Sequence, residues 1–441
     1  MNRFIKKTTK IAGIFLISAL SITQLLDANE LDAGKLKQQV KEIEPKVIKW
    51  RRHIHQNPEL SNREFKTAAL VAKHLKSLGL TVQTDIAHTG VVGILQGALP
   101  GKVVALRADM DALPVTERTQ LPFASTQTTE YGGQTVGVMH ACGHDTHVAI
   151  LMGVAEILSQ RKSEIKGTIK FIFQPAEEGV PEGEEGGAEL MVKQGVLESP
   201  KVDAIFGLHI SSQTPVGMIA YRPGGIMASV DDFRIRVKGK QTHGSAPWSG
   251  TDPIVISSQI INALQTIVSR QLKLTENAAV VTVGSIHGGV RSNIIPEQVE
   301  MTGTIRALNQ PMREQIHQKI QQIATGIAES MGATVDIALP MSSSYPVTYN
   351  NPELVEMMLP SLNRTLGEQN ILLIDPITGA EDFSFFAQKV PGFYFFLGGR
   401  PTDIYADKVT THHTPDFYID ESALQHGVLT LSNMALDYLN N

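Results

Sequence analysis

Hydrophobic residues recur first at helical spacing and then in short apolar runs along the first half of the chain. Residues 31–56 carry apolar side chains three and four positions apart, and the pattern ends before Pro58, which predicts a helix. The apolar runs at 103–106 and 169–173 predict buried strands, and residues 148–158 between them predict another helix. Strands that alternate with helices in this way indicate an α/β layered domain.

The pattern changes near residue 225, where polar and apolar positions begin to alternate. Residues 232–237 have the alternation expected of a strand with one face in solvent. The elements predicted after it are a helix at 254–272, strands at 280–286 and 299–305, a helix at 311–329 and a strand at 334–338. The chain then returns to helices and a buried strand at 393–397. We therefore expect two domains, with an α+β domain at 227–338 inserted into a larger domain made of residues 29–226 and 339–441.

The first 28 residues have the pattern of a secretory signal sequence. Basic residues between Arg3 and Lys10 precede an apolar run at 11–26, which is short for a membrane span and is diluted by polar residues. Ala28 stands just before the candidate cleavage point, although Leu26 is larger than the residue usual there. We expect cleavage at this point and export to the periplasm or the medium, with an uncleaved membrane anchor or a misread start as alternatives.

Composition narrows the possible partners. The 441 residues carry a net charge of −5 and no basic block within the body of the chain, which argues against a nucleic-acid partner. No later segment is long and apolar enough to span a membrane, so we expect no stable span after signal cleavage. Cys142 is the only cysteine, so an intrachain disulfide is excluded.

Carboxylates lie just past the ends of two predicted strands. Asp109 and Asp111 follow the first buried strand, and Glu177 and Glu178 follow the second. In α/β sheets, ligands bind at the edge formed by the carboxyl ends of the strands. Because adjacent side chains at a strand end point in different directions, one glutamate can bind a metal while its neighbour acts as a general base.

Sulfur and imidazole ligands accompany these carboxylates. The candidates are His140, Cys142, His144, His147, His209, His412 and His413. Cys142 and His144 are two apart in a segment expected to be extended, so both would point to the same side. Thiolate and imidazole suit a divalent transition metal such as zinc.

Each of these residues also has a simpler interpretation. A histidine such as His209 could lie in the core or on the surface, and single carboxylates could cap helices or turns. Cys142 and His144 could instead form a nucleophile and its base. Several strand ends, however, each deliver a metal-type ligand, and this convergence favours a metal site.

The motifs that carry these residues resemble those of the aminoacylase/carboxypeptidase metallopeptidases. The resemblance is to their amidohydrolase branch, which includes hippurate hydrolase, N-acyl-amino-acid amidohydrolase and plant indole-acetyl-amino-acid hydrolases, and it covers about residues 40–440 in order. The matching motifs are RRHIHQNPELSNREFKTA (51–68), RADMDALP (107–114), MHACGHDTHVAILMGVAEIL (139–158), FIFQPAEEG (171–179), GKQTHGSAPWSGTDPI (239–254), SNIIPE (292–297), TGAEDFSFF (378–386) and HHTPDF (412–417). The resemblance implies a mixed-sheet α/β/α catalytic domain of the zinc-peptidase type with an inserted α+β lid domain that often dimerises.

The resemblance also implies two divalent metal ions per subunit, with zinc or manganese favoured over nickel or cobalt. The implied ligands are Cys142, His144, Glu178, His209 and His413. Glu177 would be the general base, and Asp111 would orient the groups around the metals. Because His412 adjoins His413, the last ligand is ambiguous; His413 is preferred because it directly precedes a Thr-Pro step.

Three residues of the insert match or resemble substrate-contacting groups. His243 and Asn293 match lid residues of the family that are thought to reach the substrate carbonyl, often across a dimer interface. Thr242 stands where a glycine is common, so the lid loop is expected to differ. Arg291 is a candidate for binding the substrate carboxylate, with an ordinary surface arginine as the alternative. We therefore expect a homodimer formed through the insert.

The implied reaction is hydrolysis of the amide bond of an N-acyl or N-aroyl amino acid, or of a short peptide. A metal-activated water would attack the carbonyl, and Glu177 would carry its proton to the leaving amine. One alternative is a periplasmic dipeptidase or carboxypeptidase on the same scaffold. The others are a non-catalytic amino-acid or peptide binder and a cysteine hydrolase that uses Cys142.

Overall fold

The computed structural model describes residues 34–342 and 344–441. The predicted signal sequence at 1–28 lies outside the described residues. Among the helices described, none combines the length and the apolar character that crossing a membrane requires. The helices are α1 (34–56), α2 (Phe65–Ser77), α3 (His144–Gln160), α4 (Gly187–Lys193), α5 (Pro253–Thr266), α6 (Gln310–Ser330), α7 (Pro352–Leu366), α8 (Ser384–Ala387) and α9 (Ala423–Asn440).

The strands form one large sheet, one smaller sheet and three two-stranded pairs within the described ranges. They are β1 (Thr81–Ile86), β2 (Gly90–Gln96), β3 (Leu99–Asp109), β4 (Thr128–Tyr131), β5 (Gln134–Gly137), β6 (Lys166–Gln174), β7 (Ala204–Pro215), β8 (Ile219–Tyr221), β9 (Gly224–Met227), β10 (Val230–Lys238), β11 (Thr242–His243), β12 (Ala279–His287), β13 (Ile294–Ile295), β14 (Gln298–Ala307), β15 (Thr334–Ala338), β16 (Ser344–Tyr345), β17 (Thr348–Asn350), β18 (Ile371–Leu373) and β19 (Gly392–Arg400).

The large sheet has eight strands in the order β1-β2-β6-β3-β7-β19-β8-β18. Its four central strands, β6, β3, β7 and β19, are parallel, and antiparallel pairings flank them on both sides. Alternate residues of a strand face opposite layers, as in β3, where Leu106 packs beneath α1, α2, α3, α7 and α9 while Ala105 faces α4 and α8. This arrangement is an α/β/α sandwich.

The smaller sheet is antiparallel, with the order β12-β14-β10-β15 and with β16 paired to β10. Its apolar face packs against α5 and α6, so that Phe233 of β10 lies in one core with Ile260 and Ile320. The chain enters this unit after β9 and returns at β17, and these two strands pair with each other. The predicted fold class, a mixed-sheet α/β/α domain with an inserted α+β domain, is confirmed; the boundaries 29–226, 227–338 and 339–441 stay predictions.

One local prediction is wrong. Helix α3 begins at His144, four residues before the start predicted from the apolar pattern, so His144 and His147 lie on its first turn and not in an extended segment. Gly143, with φ of 95°, turns the chain into the helix. The first turn is polar yet fully buried, and an apolar pattern therefore gives no sign of it.

A buried ion cluster joins the ends of the central strands. Arg107 of β3 donates hydrogen bonds to Asp109 (2.5 Å), Glu381 (2.8 Å) and Asp382 (2.9 Å), and all four side chains are buried. Its Nε also donates to Gln174 at the end of β6 (2.7 Å). The cluster thus fixes two strand ends and the loop before α8 in one place.

Replacing Arg107 by methionine leaves three buried carboxylates without their shared cation. We expect Arg107→Met to lower the free energy of unfolding by about 3–5 kcal/mol, the usual effect of removing one partner of a buried ion pair. Arg364→Met, which removes an exposed pair with Asp437, serves as the control and is expected to cost less than about 1 kcal/mol. Urea denaturation followed by circular dichroism measures both, and equal effects would contradict the prediction.

Candidate metal centre and active site

The five predicted metal ligands lie together at the carboxyl edge of the large sheet. The sulfur of Cys142 is 3.3 Å from Nε2 of His209 and 3.3 Å from Nε2 of His413. Nε2 of His413 is 3.1 Å from Oε1 of Glu178, and that oxygen is 3.9 Å from Nε2 of His144. Cys142 therefore lies between two histidines, and Glu178 connects His413 to His144.

Backbone hydrogen bonds fix which nitrogen two of the histidines present. His144 donates from Nδ1 to the carbonyl of Asp111 (2.9 Å), and His209 donates from Nδ1 to the carbonyl of Ile210 (2.6 Å). The Nε2 atom of each is then free to act as a ligand. That of His144 is buried and has no hydrogen-bond partner among the described residues. A buried, unpartnered ring nitrogen facing carboxylates is what a metal ligand looks like without its ion.

The same reasoning separates His413 from His412. His412 lies close enough to Cys142 and His209 to belong to a possible metal-binding group. However, its Nδ1 donates to the carbonyl of Cys142 (3.1 Å), and its Nε2 accepts from the amide of Ser212 (3.2 Å). His413 has φ of 61°, and its Nε2 faces Cys142 and Glu178. The backbone already uses both nitrogens of His412, so the hydrogen bonding favours His413.

Two further histidines of the predicted set do not present a ligand atom. His147 donates from Nδ1 to Asp109 (2.5 Å) and accepts at Nε2 from the amide of Ile210 (2.8 Å), so it anchors the strand that carries His209. His140 belongs to none of the possible metal-binding groups among the described residues, and burial lowers its pKa to about 3. His147 therefore supports the site by holding the strand that carries His209.

Asp111 holds the two glutamates in place through their backbone. Its Oδ1 accepts from the amide of Glu177 (3.1 Å), and its Oδ2 accepts from the amide of Glu178 (3.0 Å) and from the hydroxyl of Ser61 (2.8 Å). Glu64 binds the preceding amide, that of Ala176, at 2.9 Å. The sequence indicated the orienting role of Asp111, but it gave no sign of Glu64 or Ser61.

The site holds more negative charge than its own cations balance. Burial, and then Glu381 and Glu178, raise the pKa of Glu177 well above its ordinary value. Burial opposes protonation of His144, but Asp109 and Asp111 overcome it and raise the pKa of His144 to about 10. A divalent cation would neutralise this surplus, so the residues fit a metal ion both in donor type and in charge.

Burial, followed by Glu178 and Glu177, raises the pKa of the Cys142 thiol well above its ordinary value. A thiol acts as a nucleophile only as its thiolate, and nearby carboxylates disfavour that form unless a cation is bound. The interpretation of Cys142 as a catalytic nucleophile is therefore disfavoured.

A cavity of about 510 Å³ opens beside these ligands. Cys142, Glu177, Glu178, His209 and His413 form one side of it. The remaining lining includes the apolar residues Ile210, Ala220, Met227, Ile374, Ile377 and Phe396, together with polar residues such as Gln213, Thr214 and Glu381. No lysine or arginine is among the described residues that line it. The cavity thus suits an uncharged, apolar group placed next to the metal ligands.

The predicted lid residues lie together but outside this cavity. His243 pairs with Ile294 across β11 and β13, and the amide of Gly244 donates to the carbonyl of Asn293 (2.8 Å). Arg291 accepts a backbone hydrogen bond from Ile294 (3.1 Å). His243, Asn293 and Arg291 are all exposed, and none of them lines the cavity. Within a single chain, the metal ligands therefore form one group and the lid residues form a second group apart from it.

Comparison with known proteins identifies the family. The model of peptidase family M20/M25/M40 matches residues 105–437. This chain belongs to that family. Thermostable carboxypeptidase 2 of Saccharolobus solfataricus is 44% identical over 407 residues, which are 92% of this chain and 98% of that protein. The N-acetylcysteine deacetylase of Bacillus subtilis is 37% identical over 386 residues, 87% of this chain and 94% of that one.

Solved structures agree with the M20 assignment. The Bacillus subtilis YXEP protein, described as a dinuclear metal binding peptidase from the M20 family, matches with a TM-score of 0.73 and 34% identity. The match covers 91% of this chain and 99% of that one. As an M20 protein, the chain is a metal-dependent hydrolase of amide or peptide bonds, and its interpretation as a non-catalytic binder is not retained.

Metal content distinguishes the two adjacent histidines of this M20 chain. We expect His413→Ala to lose about one of two bound metal equivalents, because a ligand atom is removed. His412→Gln keeps a side chain able to hydrogen-bond the backbone and should retain both equivalents. Elemental analysis after dialysis against a trace of zinc measures the difference. Retention by His413→Ala together with loss by His412→Gln would assign the ligand to His412.

Proposed function

We propose that this M20 enzyme hydrolyses the amide bond of N-acyl amino acids whose acyl group is apolar. One observation carries the proposal: the metal-type ligands and Glu177 together line a cavity whose remaining lining is largely apolar. The scissile carbonyl can then lie at the ligands while the acyl chain occupies the cavity.

Two divalent ions would be held by Cys142, His144, Glu178, His209 and His413, with zinc or manganese favoured and nickel or cobalt possible on the same donors. When bound, the ions supply Lewis-acid polarisation of the carbonyl and lower the pKa of water at the site. The chain's own contribution is the fixed direction of each donor, since His144 and His209 are oriented by backbone carbonyls.

Glu177 is the proposed general base. Its side chain lines the cavity beside Glu178, and its amide is held by Asp111, so its carboxylate is adjacent to the ligands without being needed as one. Burial beside other carboxylates raises its pKa, and the charge of bound metal ions would offset that rise and leave the carboxylate able to accept a proton. Glu177 takes the proton of the attacking water and passes it to the leaving amine.

The charge of the cavity determines how the substrate lies. An α-carboxylate placed in it would meet Glu177, Glu178 and Glu381 and no lysine or arginine of the described lining. The carboxylate therefore points out of the cavity, towards donors such as Arg291 on the inserted domain, and the acyl group points in. Acetyl leaves most of the space unfilled, whereas benzoyl and longer acyl groups bury more apolar surface.

A carboxypeptidase or dipeptidase on the same scaffold is the second candidate. The relative named thermostable carboxypeptidase 2, at 44% identity, favours it. A peptide substrate would place the side chain of its penultimate residue in the apolar cavity. The two candidates therefore catalyse the same reaction. They differ in whether the site accepts a substrate with a free amino group near the carboxylates of the cavity.

Turnover of a substrate panel tests the function. We expect N-benzoyl amino acids to be cleaved faster than N-acetyl ones and N-succinyl ones least, because the charged residues among the cavity lining are carboxylates and much of the rest is apolar. Chelation should abolish turnover, and added zinc or manganese should restore it. Glu177→Gln should lower kcat by at least about 10²–10⁴-fold with metal content unchanged. Preferred cleavage of dipeptides would support the second candidate, and turnover insensitive to chelation would refute the metal mechanism.

We also propose that the enzyme is a homodimer in which His243 of one subunit completes the site of the other. The inserted domain exposes apolar side chains, including Trp248 (82% exposed) and Val290 (96% exposed). Its sheet ends at β12, which leaves one edge of that strand unpaired within the described chain. Exposed apolar patches and open strand edges are features of association surfaces.

Mixing two inactive variants tests the shared site. Glu177→Gln and His243→Ala should each be nearly inactive. Unfolding and refolding them together should restore about a quarter of wild-type activity, because half of the random dimers are mixed and each has one intact site. Sedimentation checks that dimers form. Absence of recovery in mixed dimers would place His243 in the site of its own chain, and full activity of His243→Ala alone would place it outside catalysis.

A further inference from the structure

Tyr345 lies beside the proposed base, although the mechanism above does not use it. We propose that its hydroxyl is a positioning group that holds the backbone of Glu177 from the junction between the two sheets. The inference rests on the proposed function, because it takes Glu177 as the general base.

The contact is made to the backbone of Glu177 and not to its carboxylate. The hydroxyl of Tyr345 donates to the carbonyl oxygen of Glu177 at 2.9 Å. On the other side, the amide of Glu177 donates to Asp111 at 3.1 Å. The peptide groups on both sides of Glu177 are therefore held by hydrogen bonds. The position of the backbone in turn determines where the Glu177 side chain lies.

The turn that carries Glu177 needs such support. It follows directly on β6, and Ala176 adopts φ of 52°, which is unfavourable for a residue other than glycine. Glu64 accepts a hydrogen bond from the amide of Ala176, and Tyr345 donates one to the carbonyl of Glu177. Without the hydroxyl, the peptide group between Glu177 and Glu178 keeps only the hydrogen bond from the amide of Glu178 to Asp111 (3.0 Å).

Tyr345 is itself anchored to the inserted domain. It lies on β16 and pairs with Val230 of β10. The neighbouring Ser344 donates to the buried carboxylate of Asp231 (2.6 Å), which also accepts two hydrogen bonds from Arg313 (2.7 and 2.8 Å). The hydroxyl is thus a direct connection between the smaller sheet and the base.

The ring and the hydroxyl have separable roles. The ring lines the cavity and packs edge-on against Phe385, with centroids 6.0 Å apart. Replacing tyrosine by phenylalanine keeps the ring in the cavity wall and removes only the hydrogen bond to Glu177. Tyr345→Phe therefore isolates the positioning role.

Kinetics of the metal-loaded enzyme give the first test, with the preferred substrate of the panel. We expect Tyr345→Phe to lower kcat about tenfold and to leave KM within about twofold, because a slightly displaced base slows the chemical step without changing the cavity. Metal content and melting temperature should equal those of the wild type. Tyr349→Phe, four residues along and partly exposed, is the matched control and should change neither constant.

A second measurement does not depend on turnover. Hydrogen exchange of peptides spanning residues 174–180 should be at least several-fold faster in Tyr345→Phe than in the wild type or Tyr349→Phe, because one of the ties on this turn is gone. Unchanged exchange and unchanged kcat would overturn the proposal. A raised KM with unchanged kcat would also overturn it, since the hydroxyl would then bind substrate. If the wild type cleaves nothing in the panel, the proposed function fails, and the exchange result alone decides whether Tyr345 holds this turn.

Discussion

A single buried guanidinium, with more carboxylates around it than it can neutralise, underlies the arrangement of the active site. Arg107 binds Asp109, Glu381 and Asp382, and Asp109 in turn binds His147. Burying charge without such partners would be prohibitive, so these residues must come together if the sheet is to form at all. Since they lie on β3, on α3 and in the loop before α8, satisfying one cation aligns three separate parts of the chain.

The same network extends to both sides of the catalytic cavity. His147 donates a hydrogen bond to Asp109 and accepts one from the amide of Ile210. Because Ile210 is next to His209, these bonds position one of the proposed ligands. Glu381 lines the cavity and is held from behind by the hydroxyl of Tyr394 at 2.6 Å. The orientation of the proposed ligands therefore depends on hydrogen bonds from residues that do not bind the metal themselves, as is usual for metal sites.

The sequence alone predicts the strands β3, β6 and β19 of the large sheet and the ligand-bearing segments, because each of these has a local signature. An apolar run marks a strand, and carboxylates or histidines mark its end. The contacts that bind these segments together have no such signature: Tyr345 reaches Glu177 across 168 positions from a stretch that reads as an ordinary loop. Likewise, the sequence does not distinguish the adjacent His412 and His413. The structure does, because His412 bonds to the backbone through both ring nitrogens while His413 faces Glu178. The inserted domain was predicted from its alternating strands, but a sequence cannot say whether His243 serves its own chain.

The spread of the proposed ligands along the chain, from Cys142 to His413, bears on how the enzyme matures. An unfolded chain cannot present donors so far apart in one place, so the site forms only as the large sheet assembles, and metal binding is coupled to that folding. The ions that are incorporated will therefore be those available where the large sheet folds.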